Sequence, residues 1–451
     1  MTAIAGLVEP GKMELVKKML DTMAHRGSAG HYILNQASCT IGVAYPESQD
    51  YTIKMLKEQK MAADDRGVNP TTQVKVLKEG IELQRDPLGI APLYYGYTDE
   101  GTLCFASEVK GLLTVTNDVK ELLPGHLLRK SREEVYYQIK KQTPIHEPPE
   151  AMAHELQKRL TQAIARQISD GDVAAWLSGG LDSSAIVALA RPYAVQLHTF
   201  TAGLSGSPDL EYSRMVASRL QTDHHEVVVS PDDLLAIIPE VIYHLESFDA
   251  LLVRSSMMNY LVAKRASDYA QTVLSGEGSD ELFAGYSYLK LLNPDTLEDE
   301  LVDITGRLHN TALQRVDRCA MAHGTEARLG FLDPNVVSYA LRIPIEYKLH
   351  EGIEKWVLRK ALEGLLPDSI IYRPKAKFWE GAGVSNLIAN YADEHISDKD
   401  FINNRHLQNH WILNSKEEML YYQIFCEYFG EMEDLSWMGR TKGAPIDDRP
   451  G

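Results

Sequence analysis

The chain has 451 residues, 44% hydrophobic and 24% charged, a balance that supports packed cores and argues against a disordered chain. Lys plus Arg number 46 against 63 Asp plus Glu, giving a formal charge of −17. That balance disfavours nucleic acid or an anionic membrane as partner, because phosphate binding rests on clustered cations. Four scattered cysteines, Cys39, Cys104, Cys319 and Cys426, show no CxxC spacing, so neither a zinc framework nor a disulfide framework is expected. No apolar run reaches the roughly 18 residues of a membrane span. The N-terminus acquires charge too soon for a secretory signal, and a cytoplasmic protein is expected.

In chain order, MELVKKMLDTMAHRG reads as a helix ended by Gly27. RDPLGIAPLYYGY (85–97) reads as a turn followed by a strand, and TLCFASEV and QIKK are further short strand-like segments. These predict a β-rich sandwich over about the first 140 residues. Pro144, Pro148 and Pro149 then mark a linker that neither a helix nor a central strand can cross. Beyond it, Met152, Leu156, Leu160, Ile164 and Ile168 recur every four residues and predict one helix face. Strand DVAAWL, helix AIVALARPYA, strand VQLHTFTAG, helix DLEYSRMVASRL and strand HHEVVVS alternate, the pattern of a parallel sheet flanked by helices. From about residue 300 the chain reads as helical.

The segment Leu177-Ser178-Gly179-Gly180-Leu181-Asp182-Ser183-Ser184 joins a predicted strand to a predicted helix. Its two glycines allow a tight turn with exposed N–H groups. The hydroxyls of Ser178, Ser183 and Ser184 add donors, and the following helix directs its positive end at the same space. This is a phosphate cradle at the carboxyl end of a strand, where open α/β sheets bind ligands. No lysine of the GxxxxGK[ST] type follows. An acid inside an anion nest requires a cation, so Asp182 is a candidate Mg²⁺ ligand.

This segment resembles the pyrophosphate-binding loop of the ATP pyrophosphatase (PP-loop) superfamily. LHTFTAGLSGSPDLEYSRMVASRL, TVLSGEGSDELFAGY, MAHGTEARLGFLD, IEKWVLRKALEGLLP and YRPKAKFWEGAG further resemble landmarks of the glutamine-dependent asparagine synthetase family, in the family's order. The resemblance implies an α/β chain of two parts. Residues 1–145 would form an Ntn-hydrolase-like α/β sandwich that has lost its glutaminase residues. Residues 150–451 would form a PP-loop α/β synthetase domain with a parallel sheet and a helical C-terminal part. It implies ATP and Mg²⁺ as cofactors, small-molecule carboxylate and amine substrates, and leaves homodimerisation open.

By the same resemblance Leu177 and Ala202 hold the adenosine through backbone contacts. Ser275 and Gly276 complete the nucleotide site, and Asp182 and Asp280 hold Mg²⁺. Glu277 serves adenylate formation and amide closure, Lys375 reaches the reacting phosphate with Lys377 as its rival, and Arg254 and Arg328 lie near the acceptor. His25-Arg26-Gly27, RDPLGIAPLYYGY, FASEVKGLL and Pro124-Gly125 resemble the family's glutaminase domain, but Thr2 stands where the family has its nucleophilic Cys. No counterpart of the glutamine-holding RLS and NGEIYN stretches occurs in Gly42–Lys78. Leu251-Leu252 replace a Thr-Thr pair before Arg254, so they either line a more apolar acceptor pocket or pack in the core. The expected reaction is AMP-forming amide ligation without glutamine hydrolysis, as in the β-lactam synthetases and lasso-peptide cyclases; an ammonia-dependent asparagine synthetase is the alternative.

Overall fold

The computed structural model describes residues 2–45, 60–62, 72–78, 80–168, 172–374, 387–408 and 411–442. Two antiparallel sheets come first. One has the order β2-β3-β1-β8-β7-β9, from β1 (Ala3–Leu7), β2 (Gly30–Asn35), β3 (Thr40–Tyr45), β7 (Tyr94–Tyr97), β8 (Leu103–Ala106) and β9 (Lys120–Glu121). The other has the order β11-β10-β6-β5-β4, from β4 (Lys60–Ala62), β5 (Gln73–Val76), β6 (Ile81–Gln84), β10 (His126–Arg129) and β11 (Arg132–Val135). Strand alternation divides their cores. Ile4, Ile41, Val43 and Phe105 of the first sheet pack on Val74, Leu83 and Leu128 of the second. Ala3, Ala5 and Leu7 face the other way, against Val16, Met19 and Leu20 of the helix Met13–Asp21. That helix ends before Gly27, and a short 3₁₀ turn, Ala24–Arg26, fills the gap. The QIKK segment forms no strand.

After the helix Pro149–Gln167, five parallel strands are ordered β14-β13-β12-β15-β16: β12 (Asp172–Trp176), β13 (Gln196–Leu204), β14 (Asp223–Val229), β15 (Thr272–Ser275) and β16 (Glu326–Leu329). The chain leaves β12 to build β13 and β14 on one side, then returns to build β15 and β16 on the other. Strand order therefore reverses between β12 and β15, the switch point where such sheets open a ligand crevice beyond their carboxyl ends. The uniform helical reading after residue 300 is corrected by β16, whose four residues are all buried and too few to show a period. Among the described residues no helix is long and apolar enough to cross a membrane.

The sandwich and the parallel-sheet part share one continuous core, which runs from Ala106, Val109 and Leu112 to Leu313 and Val316. A buried ion network crosses the same junction. Glu108 pairs with Arg26, with His25 (3.1 Å), with Lys110 (2.6 Å) and with Arg318 (2.8 Å). Glu246 pairs with Arg318 (2.9 Å) and Lys110 (3.0 Å) and accepts the backbone N–H groups of Val109 and Lys110. Arg26 also reaches Asp317. A second cluster joins Arg85 and His309 on Glu121, at 2.6 and 2.7 Å.

Candidate active site

The turn after β12 is set by glycine. Gly179 has φ +69°, and a Cβ there would come within 2.5 Å of the Ser213 backbone nitrogen, so no other residue fits without displacing the loop. The turn braces itself. Ser178 N–H donates to Ser183 Oγ (3.2 Å), the two hydroxyls lie 3.1 Å apart, and Gly180 N–H donates to Ser178 Oγ (3.3 Å). The helix starts at Leu181, so Asp182, Ser183 and Ser184 form its first turn rather than a loop before it. The turn after β15 presses on this helix: a Cβ on Gly276 would meet Asp182 C and Ser183 N at 2.9 Å.

Between these two turns opens a cavity of about 550 Å³. Leu177, Ser178, Gly180, Asp182, Ser183, Ala202, Ser275, Gly276, Glu277 and Asp280 line it, as do Leu251 and Leu252. Lys355 lies 2 % exposed at its floor, with Nζ 2.6 Å from Asp182 Oδ2 and 2.6 Å from Asp280 Oδ1. Ser279 Oγ donates to Asp182 at 2.6 Å. Two carboxylates thus converge on the Lys355 ammonium beside an anion nest; both are oxygen donors of the kind Mg²⁺ takes. On the opposite wall Glu277 pairs with Arg315 at 2.5 Å. Glu281 is buried behind them and accepts the Tyr286 hydroxyl at 2.5 Å. Burial, then the neighbouring Asp280, raise its pKa to about 7, so it titrates near neutral pH.

Three other sequence-named residues sit elsewhere. Arg254 is committed to Glu417 of the helix Lys416–Phe429, whose carboxylate also holds the Tyr421 hydroxyl. Arg328, on β16, donates to the Gln167 carbonyl. Neither is among the residues lining the cavity. Ser184 is fully buried, one helical position beyond the lining residues. Lys375 and Lys377 lie outside the described residues; Arg373 and Pro374, the last residues described before them, line the cavity.

The asparagine synthase family model matches residues 155–302 and 291–442, and a glutamine amidotransferase domain model matches 74–157. The chain is 35% identical over 376 residues to asparagine synthetase B [glutamine-hydrolyzing] of Escherichia coli, covering 78% of this chain and 68% of that protein. It is 31% identical over 442 residues to the glutamine-hydrolyzing asparagine synthetase of Sandersonia aurantiaca, covering 92% and 82%. The chain belongs to the asparagine synthase family. It is an ATP-dependent carbon–nitrogen ligase of the asparagine-synthetase type, which forms an amide and releases AMP and pyrophosphate.

Among the cavity residues of this synthase that the motifs do not single out are Lys355, Arg315 and Arg373. Lys355 carried a signal, since it lies in the family-like stretch IEKWVLRK, but nothing in its spacing tied it to two acids more than 70 residues upstream. Arg315 stands on the helix Ala312–Met321, which also carries Asp317 and Arg318 of the ion network. Arg373 donates to the Ser178 carbonyl (3.1 Å) and to Asp209 (2.7 Å), with its guanidinium 4.0 Å over the Tyr212 ring, and so clamps the serine turn from outside.

Proposed function

We propose that this ligase adenylates a small-molecule carboxylate and joins it to ammonia or an amine without hydrolysing glutamine. The observation that carries the reading is an asymmetry. The nucleotide end keeps its nest, its paired acids and its cations. At the glutamine end Thr2 replaces the family's Cys and is buried at the head of β1, and the match to the amidotransferase model begins only at residue 74. Without a thiol and a glutamine-holding loop, neither nucleophile nor oxyanion stabilisation is provided for amide hydrolysis. Much of the stretch between Tyr45 and Thr72 lies outside the described residues.

In this reading the acceptor carboxylate attacks the α-phosphorus and the α–β bridging bond breaks. The amine nitrogen then attacks the acyl carbon, loses a proton and expels AMP. Backbone N–H groups of Ser178–Gly180 and the Leu181–Ala190 helix N-terminus hold phosphate oxygens. Leu177 and Ala202 flank the adenosine, with Ser275 and Gly276 opposite. Asp182 and Asp280 would hold Mg²⁺, which neutralises phosphate charge when bound, in place of the Lys355 ammonium that now bridges them. Glu277 and Arg315 face the acceptor, where Arg315 suits a carboxylate. Lys375 is the cation proposed for the reacting phosphoryl group. We assign residues 1–145 to the inactive glutaminase-like domain and 150–451 to the synthetase. The buried, unlinked thiols Cys39, Cys104 and Cys319 suit a reducing cytoplasm.

Leu251 and Leu252 line the cavity where the family carries two threonines, which favours an acceptor less polar than aspartate. The relatives named as asparagine synthetases favour aspartate itself. Pyrophosphate release measured with ATP and a panel of carboxylates, each with ammonia, glutamine or amines, separates the two. Turnover of aspartate alone identifies the second reading. Stoichiometric ADP overturns the AMP-forming chemistry, and robust glutamate formation lost in Thr2→Ala overturns the inactive first domain. Lys375→Ala should lose about 10²–10³ in kcat with ATP affinity kept, and Lys377→Ala should stay near wild type.

A further inference from the structure

At the other end of the parallel sheet, remote from the nucleotide turns, β13 and β14 bring three side chains together. Their register pairs His198 with Asp223 and Phe200 with His225. Residues paired across parallel strands share a face, and so do i and i+2 along one strand. His198, Asp223 and His225 therefore project to one side. His198 Nδ1 lies 3.0 Å from Asp223 Oδ2, and His225 Nε2 lies 3.3 Å from the same oxygen. The two nitrogens are 3.4 Å apart. Among the described residues no other group of His, Cys, Asp and Glu brings three ligand atoms so close.

Ligands about 2.0–2.1 Å from a tetrahedral zinc ion are separated by edges of about 3.3–3.4 Å. The observed triangle has nearly those edges. The rings are also held in place: His225 stacks on Phe200 (4.9 Å between centroids), and Tyr269 packs against both histidines at 5.1 and 4.3 Å. Asp223 is half-exposed, which leaves a fourth position open to water. Arg265 opposes a cation here, but it is paired with Asp268 at 2.9 Å and lies over the Tyr269 ring.

We propose that His198, Asp223 and His225 form a zinc-class divalent metal site that staples the edge strand β14 to β13. It is separate from the Asp182–Asp280 pair, which offers oxygen ligands suited to Mg²⁺. His198 precedes Ala202 by four residues, about 13 Å along the strand, so the staple fixes the sheet rather than touching the nucleotide.

The test uses tag-free, full-length protein stripped with a chelator and titrated with Zn²⁺ against a chromogenic chelator, with Mg²⁺ in excess. One tight site per chain is expected. Changing a residue behind the ligands typically costs about 10–100-fold in affinity, so removing a ligand should cost more than about 100-fold. His198→Ala and Asp223→Asn should both show that loss, while Asp182→Asn keeps the site. Asp223→Asn preserves size at a half-exposed position, so its folded state provides the readout if His198→Ala fails to fold. Zn²⁺ should raise the melting temperature of the wild type and leave that of Asp223→Asn unchanged. Failure of the wild type to take up zinc at micromolar concentration, or equal uptake by wild type and Asp223→Asn, overturns the site.

Discussion

Glu281 is the cavity residue whose protonation the fold changes most legibly. Its pKa in the folded chain is about 7 against 4.5 for a free glutamate, because burial and the neighbouring Asp280 both disfavour the anion. Between those two values the folded state holds a proton that the unfolded state has released. Stability therefore falls as pH rises from about 4.5 to 7 and stays reduced above it. Glu281→Gln keeps an acceptor for the Tyr286 hydroxyl and removes the charge. It should stabilise the ligand-free enzyme at pH 8 by on the order of 1–3 kcal/mol and leave it unchanged near pH 4. Urea midpoints at both pH values check this; a variant no more stable than wild type at pH 8 would contradict the assignment. Glu281 was invisible in the sequence as anything but one acid among 63, because a pKa depends on what is packed around the group. The position of Asp182 and Asp280 at the cavity was legible because each opens a short helix directly after a glycine-containing turn. The partners of Arg254 and Arg328 were not legible: an arginine beside a motif says nothing of which carboxylate or carbonyl it will reach, and Glu417 lies 163 residues away from Arg254.

At the scale of elements, the strand–turn–helix unit from β12 to Ala190 acts as one device. Its turn fits because Gly179 takes a left-handed backbone against the helix Pro208–Leu220. Gly179→Ala meets two obstacles, an αL penalty of about 1–2 kcal/mol and a clash with the backbone of Tyr212 and Ser213. Relief of the clash must move the serine turn, whose N–H groups are the proposed phosphate donors. ATP affinity should fall more than about tenfold, while the thermal midpoint drops by only a few degrees for a chain of this size. Isothermal titration with ATP and a melting curve separate the two effects, and unaltered ATP affinity would sink the assignment of this turn. The unit was readable beforehand because its strand, glycines and helix are consecutive in the chain. β16 was not readable, since a four-residue buried strand carries no period and gains its identity only by pairing with β15.

For the whole molecule, the glutaminase-like residues His25, Arg26, Arg85, Glu108 and Lys110 share one location. Each of these residues sits in a buried ion cluster at the junction with the parallel-sheet part: His25, Arg26, Glu108 and Lys110 with Glu246, Asp317 and Arg318, and Arg85 with His309 through their shared Glu121. These motifs therefore supply side chains that hold the sandwich against the parallel-sheet part. Such a cluster costs desolvation, and it is stable only while every charge is matched. Arg318 spans Glu108 and Glu246, both fully buried. Arg318→Met removes a buried cation shared by Glu108 and Glu246 and should cost about 3–5 kcal/mol. Limited proteolysis should then cut the chain between its two parts. Lys17→Ala, which breaks an exposed pair with Asp21, should leave the unfolding midpoint where it was. Acid should act on the same junction. Glu121 is held at about 2, against the opposing effect of burial, by His309 and Arg85, and Glu108 is held well below its usual range by Arg26, His25, Lys110 and Arg318. Their contribution is present above about pH 4.5 and is lost as pH falls through the lowered values. Acid should therefore separate the two parts before either loses its sheets. Near- and far-ultraviolet circular dichroism with proteolysis across pH 2–5 checks this order. Simultaneous loss of both signals in the wild type, or a wild-type midpoint in Arg318→Met, would show that the junction contributes nothing to holding the molecule together.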